Sequence, residues 1–322
     1  MDVQPAEDKL QWPPLPAPAK AAHAMTIRGF NETGISAAGL LYGRREDRII
    51  RPVSVAAGPG GILAVADTGC RCVHLYQPSA QQYHKVLNED MESLISPVGV
   101  AFDDEARLYI ADSVRAKIYV FDRQLSYLFT IDRTSDGLLQ RPTGLAFDRE
   151  KKVLYAVDTV AHKVHAFDTK GAHLFSFGER GVGNGQFNFP AHIFWSAPGT
   201  IYVTDSMNFR VQIFGQSGNF LAAFGRQGDG SGDFSSPKGV ASDKDRIIYV
   251  VDSLFDTIQL FNGDSGEFLL AIGGRGTGPG EFWLPSGIFI DDNDKLYVCD
   301  TYNQRVQVFQ LFRRLRSDEG AR

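Results

Sequence analysis

Along most of this chain apolar and polar positions alternate in short runs, and the runs are separated by clusters of Gly, Asn, Asp and Ser. No segment of useful length repeats its apolar residues with a helical period, so the pattern predicts strands throughout. The clearest stretch, Leu296-Tyr297-Val298-Cys299-Asp300-Thr301-Tyr302-Asn303-Gln304-Arg305-Val306-Gln307-Val308-Phe309, reads as two strands joined by a tight turn after the Asp. Five earlier stretches repeat it, with the marker Asp at Asp67, Asp112, Asp158, Asp205 and Asp252 before Asp300, at spacings of 45, 46, 47, 47 and 48. A second marker, Pro52, Pro97, Pro142, Pro190, Pro237 and Pro285, precedes the Asp by fifteen residues in five copies and by sixteen at Asp158.

Each repeat divides at its turn signals into four strands. The first follows the proline, the second ends at the marker Asp, the third is the V-Q-I-F type segment, and the fourth follows a Gly- or Ser-containing turn, as in His173 to Gly178. The third strand alternates apolar and polar residues, whereas the first two are almost continuously apolar and are therefore expected to be buried on both faces. A regular period of this length built from short strands predicts a closed repeat architecture, an all-β six-bladed propeller of four-stranded antiparallel blades. The sixth repeat lacks its fourth strand, and Ala24 to Phe30 has the pattern of one without a repeat of its own. The expected closure is therefore an N-terminal strand on the last blade, which removes an open sheet edge.

Three regions follow: a Pro-rich N-terminal segment (1–24), a propeller (25–312) and a charged C-terminal tail (313–322). The run Trp12 to Lys20 predicts extended polyproline geometry, a strap or stalk. The formal net charge of −5 opposes attraction to nucleic acid or anionic lipid, and no apolar run is long enough to span a bilayer. The acidic first residues lack the apolar run of a secretory signal, which leaves a cytosolic protein or the processed form of an exported one. Cys299 occupies a small core position. Cys70 and Cys72 share the turn of the first repeat, with no further His or Cys pair at metal spacing, so no metal site and no cofactor are expected; a Cys70 to Cys299 bridge between first and last blades is conceivable.

The unit P-x-G-I-A-x-D, then IYVxD-[ST]-x-N-x-R-V-Q-V-F, then FG-x-x-G-x-G-x-G-x-F resembles the NHL repeat over about residues 25 to 312. Repeats four and six match best, with Asp205, Asn208, Arg210 and Asp300, Asn303, Arg305 in place. The others depart, with Cys72, Lys117, Lys163 and Thr257 in the Arg position and Cys70, Arg115, Ala161 and Phe255 in the Asn position. The resemblance implies a six-bladed propeller and no single activity. The Trp-Pro-Pro leader resembles that of exported bacterial members, which implies the cell envelope, against a cytoplasmic alternative.

Chemistry is sparse in this pattern. An Asp required once per blade is expected to accept turn N–H groups and orient the basic residue five positions on. The Gly-rich loops, such as Gly181 to Gly185, lead into strands and not helices, so they are read as crossings between blades, with no nucleotide site. Two residues after each marker proline stand Ser54, Gly99, Gly144, His192, Gly239 and Gly287. The exceptions Ser54 and His192, together with Lys238 beside Gly239, are the candidate channel residues for a small-molecule ligand, placed at a channel mouth on the face of the glycine loops. The turns between second and third strands share that face, and Met207, Phe209, Leu254, Phe255 and Tyr302, with Val114, are candidates for an apolar patch that takes a protein partner. Lys117, Lys163, Arg210 and Arg305 are spread over four blades and are expected to pair with the marker carboxylates, so no nucleic-acid partner is expected. The leading expectation is a non-catalytic binding propeller; the alternative is a lyase or hydrolase using His192 with a bound metal in the channel.

Overall fold

The computed structural model describes residues 2–5, 10–14, 17–31, 46–87 and 93–312. Six antiparallel sheets stand around an axis, five of them four-stranded and in simple up-and-down order. Blade one runs through Pro52–Ala57, Leu63–Asp67, Cys72–Gln77 and Gln82–Val86. The corresponding first strands of blades two to six begin at Pro97, Pro142, Pro190, Pro237 and Ile288. First strands contact one another in a closed cycle, blade six against blade one included. Second strands such as Leu63–Asp67 and Leu108–Asp112 are buried at every position, so their continuous apolarity reflects packing on both faces.

The sixth blade is completed by the N-terminal strand Ala21–Asn31, which pairs antiparallel with Arg305–Leu311 in a register that includes Val306 opposite Ile27 and Leu311 opposite Ala21. Ile27 and Phe30 are fully buried between blades six and one, so the seal is a packed seam as well as a hydrogen-bonded one. Described parts of the leader lie against the sealing strand. Gln11–Trp12 turns back to pair with Ala21–Ala22, and Asp2–Pro5 adds outside the sealing strand. The reversal is anchored by Trp12, whose ring packs edge-on to Phe309 at 5.6 Å. Residues 313–322 lie outside the described residues.

The inner glycines are required by close approach. A Cβ on Gly239 would lie 2.6 Å from the Ser286 carbonyl oxygen, and one on Gly144 or Gly287 would lie 2.8 Å from the Cα of His192 or Ser54 in the next blade. Backbone therefore packs on backbone around the axis near the proline ends of the first strands.

Candidate functional site

The marker carboxylates are structural. Each is buried and accepts backbone N–H groups from the segment leading into its own blade: Ile50 and Arg51 for Asp67, Ile95 for Asp112, Gln140 and Arg141 for Asp158, Asn188 for Asp205, Ser235 and Ser236 for Asp252, and Trp283 for Asp300. Four residues after each Asp, at Arg71, Ala116, His162, Phe209, Asp256 and Gln304, the backbone is left-handed with φ between 53° and 55°, so all six turns are one geometry. In blades four and six the same carboxylate oxygen collects three side-chain donors. Asn208 Nδ2 (2.8 Å), Arg210 Nε (2.8 Å) and Gln212 Nε2 (3.1 Å) converge on Asp205; Asn303 (2.9 Å), Arg305 (2.7 Å) and Gln307 (3.2 Å) converge on Asp300. The guanidinium of Arg305 then donates to the Thr277, Gly278 and Glu281 carbonyls, so the glycine loop turns its oxygens inward and cannot cradle a phosphate.

A cavity of about 270 Å³ occupies the axis, lined by Ser54, His192, Phe194, Phe289 and the turns that follow the first strands. It opens among Arg149, Lys244, Arg246, Asp291 and Asp292, at the end opposite the glycine loops. This corrects the expected mouth. Crowded inner glycines close the axis at the proline ends, and the strands leave room only where their other ends turn outward. Ser54 and His192, from facing blades, both line this one cavity, at its inner end. Lys238 is not among its lining residues; burial lowers its ammonium pKa, and the Asp252 carboxylate opposes that shift.

Phe194 and Phe289, from blades four and six, approach edge-to-face at 6.0 Å, which places their rings across the axial space. His192 Nδ1 accepts the Val240 N–H at 3.3 Å, and enclosure by protein drops its pKa to about 4, so the ring is neutral at ordinary pH. Among the described residues no second histidine lines the cavity. An ion pair from Arg149 to Asp292 at 2.7 Å joins facing blades three and six across the mouth, and Lys244 Nζ donates to the Asp292 carbonyl at 2.7 Å. The carboxylates Asp103, Asp243 and Asp291 at this end are turn-formers, each accepting local N–H groups and a Tyr hydroxyl, from Tyr109, Tyr249 and Tyr297.

On the opposite face the residue two positions after the marker Asp is apolar and exposed in five successive blades. Val114, Val160, Met207, Leu254 and Tyr302 are between 41% and 61% exposed. Phe209 and Phe255 are only half-buried at their turns, and Phe209 packs against the core between blades four and six. The sequence reading missed Val160, and it missed Trp283, an exposed ring 5.8 Å from Tyr302. Arg51 lies over Tyr302 at 5.2 Å and Arg275 over Trp283 at 5.7 Å, so a ladder of alternating guanidinium and ring extends the apolar arc. The signal for Val160 was the shared register position, which was available in the repeat alignment.

The cysteines also differ from expectation. Cys70 and Cys72 are joined by a disulfide, and Cys299 is a free buried thiol, so the Cys70 to Cys299 bridge does not form. His74, two residues beyond Cys72, brings its Nε2 to 3.7 Å from both sulfurs, so a metal-type donor does accompany the pair. Alternate residues of a strand project from the same face, which sets His74 beside Cys72, and the preceding turn brings Cys70 to the same ring.

Among known proteins, residues 191–257 and 240–316 match a family model, DUF5128, described as a 6-bladed beta-propeller. No curated protein matches the chain. Solved structures share the architecture. Virginiamycin B lyase from Staphylococcus aureus superposes with a TM-score of 0.59 at 11% identity, over 82% of this chain and 96% of that one. A streptogramin B lyase gives 0.60 at 10% identity, over 89% and 97%. A protein of unknown function from Bacteroides thetaiotaomicron gives 0.61 at 15% identity, over 89% and 73%. At such identities the likeness is one of fold: the chain is similar to these proteins as a six-bladed β-propeller.

Proposed function

We propose that this propeller is a non-catalytic binding module of NHL-repeat type that docks a protein partner on the face of its second-to-third strand turns. The observation that carries the reading is the arc of exposed apolar side chains at one register position, Val114, Val160, Met207, Leu254 and Tyr302, flanked by Trp283. Five exposed large residues at one register position on adjoining blades are the kind of surface partners cover, and the Arg51 and Arg275 guanidinium groups supply a polar rim. Envelope residence fits the leader's resemblance and belongs to the same proposal.

A second reading is supported by the axial cavity and the lyase-like architecture: an eliminating enzyme in which the neutral His192 ring takes a proton from a bound ligand. The lone histidine makes it the weaker of the two. One comparison separates them. Met207→Glu with Leu254→Asp is expected to abolish capture of the native partner from the source cells by cross-linking, while His192→Ala captures normally. Unchanged capture by the double variant defeats the docking reading. Conversion of quinupristin, the compound found with a catalytically inactive virginiamycin B lyase from Staphylococcus aureus, by the wild-type protein and its loss in His192→Ala establishes the second.

A further inference from the structure

Blade one departs from blades four and six at three linked positions. Where those blades place Asn, Arg and Gln around the marker carboxylate, blade one places Cys70, Cys72 and His74 around Asp67. All three side chains that elsewhere donate to an aspartate oxygen are thus replaced by metal-type ligands. The three ligand atoms of Cys70, Cys72 and His74 lie within 4.8 Å of one another, and His74 Nε2 is 3.3 Å from Asp67 Oδ2. Asp67, Cys72 and His74 are fully buried, and Cys70 is half-exposed at the turn.

We propose that Asp67, Cys70, Cys72 and His74 form a redox-gated site for one zinc ion. Tetrahedral zinc with ordinary bond lengths separates a sulfur from a nitrogen ligand by about 3.5 Å and a nitrogen from an oxygen ligand by about 3.4 Å. The nitrogen-to-sulfur separations here are both 3.7 Å and the nitrogen-to-oxygen separation is 3.3 Å, so His74 is already placed for either partner; on reduction the two sulfurs must part, and the Asp67 carboxylate, which lies outside the 4.8 Å cluster of the other three ligand atoms, must close on them. The imidazole is already oriented for the task. Its Nδ1 is held by the Tyr83 hydroxyl at 2.9 Å and its ring stacks on Phe30 of the sealing strand at 5.4 Å.

The charge at the marker carboxylate agrees with this reading but does not by itself single out blade one, because blade five carries Thr257 in the arginine position. Asp205 and Asp300 are each neutralised by an arginine in direct contact, whereas blade one has Cys72 in that position. Blade three shows that histidine alone is no ligand set: His165 occupies the His74 position at 3.9 Å from Asp158, with Ala161 and Lys163 in place of the cysteines. The combination of both cysteines with the histidine distinguishes blade one.

The chemistry balances in two steps. A phosphine takes up the oxygen of one water as it delivers two electrons to the disulfide, giving the phosphine oxide and two thiols. Zinc then replaces the two thiol protons, which leave to solvent, and the neutral His74 and ionised Asp67 complete the shell.

The test uses the full chain, free zinc and a chromophoric zinc competitor. After phosphine reduction the wild-type protein is expected to take one zinc per chain, and cobalt in place of zinc is expected to give a thiolate charge-transfer band. The unreduced protein is expected to take none. The triple variant Cys70→Asn, Cys72→Arg, His74→Gln installs the set of blade four, so it is expected to fold, bind no metal and show no band. Tyr83→Phe is expected to weaken zinc binding about tenfold. Less than one zinc on the reduced wild type, equal uptake before and after reduction, or equal uptake by the folded triple variant each overturns the proposal.

Discussion

His192 and His165 illustrate how the repeat sets the chemistry of a single side chain. Burial drops the pKa of each to about 4, below the ordinary 6.5 of the free residue. The unfolded chain therefore takes up a proton first as the pH falls, and the native state loses stability from about pH 6.5 down to about pH 4. Above that window the contribution of each neutral ring is complete; across it the loss amounts to up to about 3 kcal/mol per histidine. Urea unfolding followed from pH 7 to 4 is expected to show a falling midpoint. His192→Gln, which keeps an acceptor for the Val240 N–H, is expected to flatten the slope by about half. An unchanged slope rules out the enclosed histidine as a source of acid sensitivity.

Within each blade, the hairpin between second and third strands is set by the marker carboxylate, and its strength depends on what surrounds that group. In blade six Arg305 is 1% exposed and ties Asp300 to three loop carbonyls; in blade four Arg210 is 13% exposed. Removing one member of a buried pair leaves the other charge unpaired, which costs about 3–5 kcal/mol. Arg305→Ala is expected to lower the unfolding free energy by that amount, and Arg210→Ala by less because the Arg210 side chain is itself partly open to water while both carboxylates are buried. Denaturant titration of the two variants checks the order. The role of the Asp was legible from its recurrence once per blade, since a backbone task recurs and a catalytic one does not. The second set of carboxylates, Asp103, Asp243 and Asp291, was not singled out, because each reads in sequence as an ordinary turn residue and its Tyr partner comes from the neighbouring strand.

For the whole molecule, closure depends on Ala21–Asn31 pairing with Arg305–Leu311. Without it the Arg305–Leu311 strand is an open edge, and the seam between blades six and one loses Ile27 and Phe30. Deleting residues 1–31 is expected to lower the unfolding temperature and produce concentration-dependent aggregation, read by calorimetry and size-exclusion chromatography. A peptide of residues 21–31 added in trans is expected to restore the monomer by strand addition. A truncated chain as stable and monodisperse as the intact one refutes the seal.

The sequence by itself determined the number of blades, the four-strand unit and the donor of the missing strand. These follow from period, alternation and turn residues, which are local properties that a linear pattern records. Only the tertiary structure decided which end of the axial cavity opens, which turn residues stay exposed, and that His74 stands beside both cysteines and Asp67. Those outcomes depend on how separate blades and strands approach one another in space, and an identical repeat unit can face water in one blade and protein in the next.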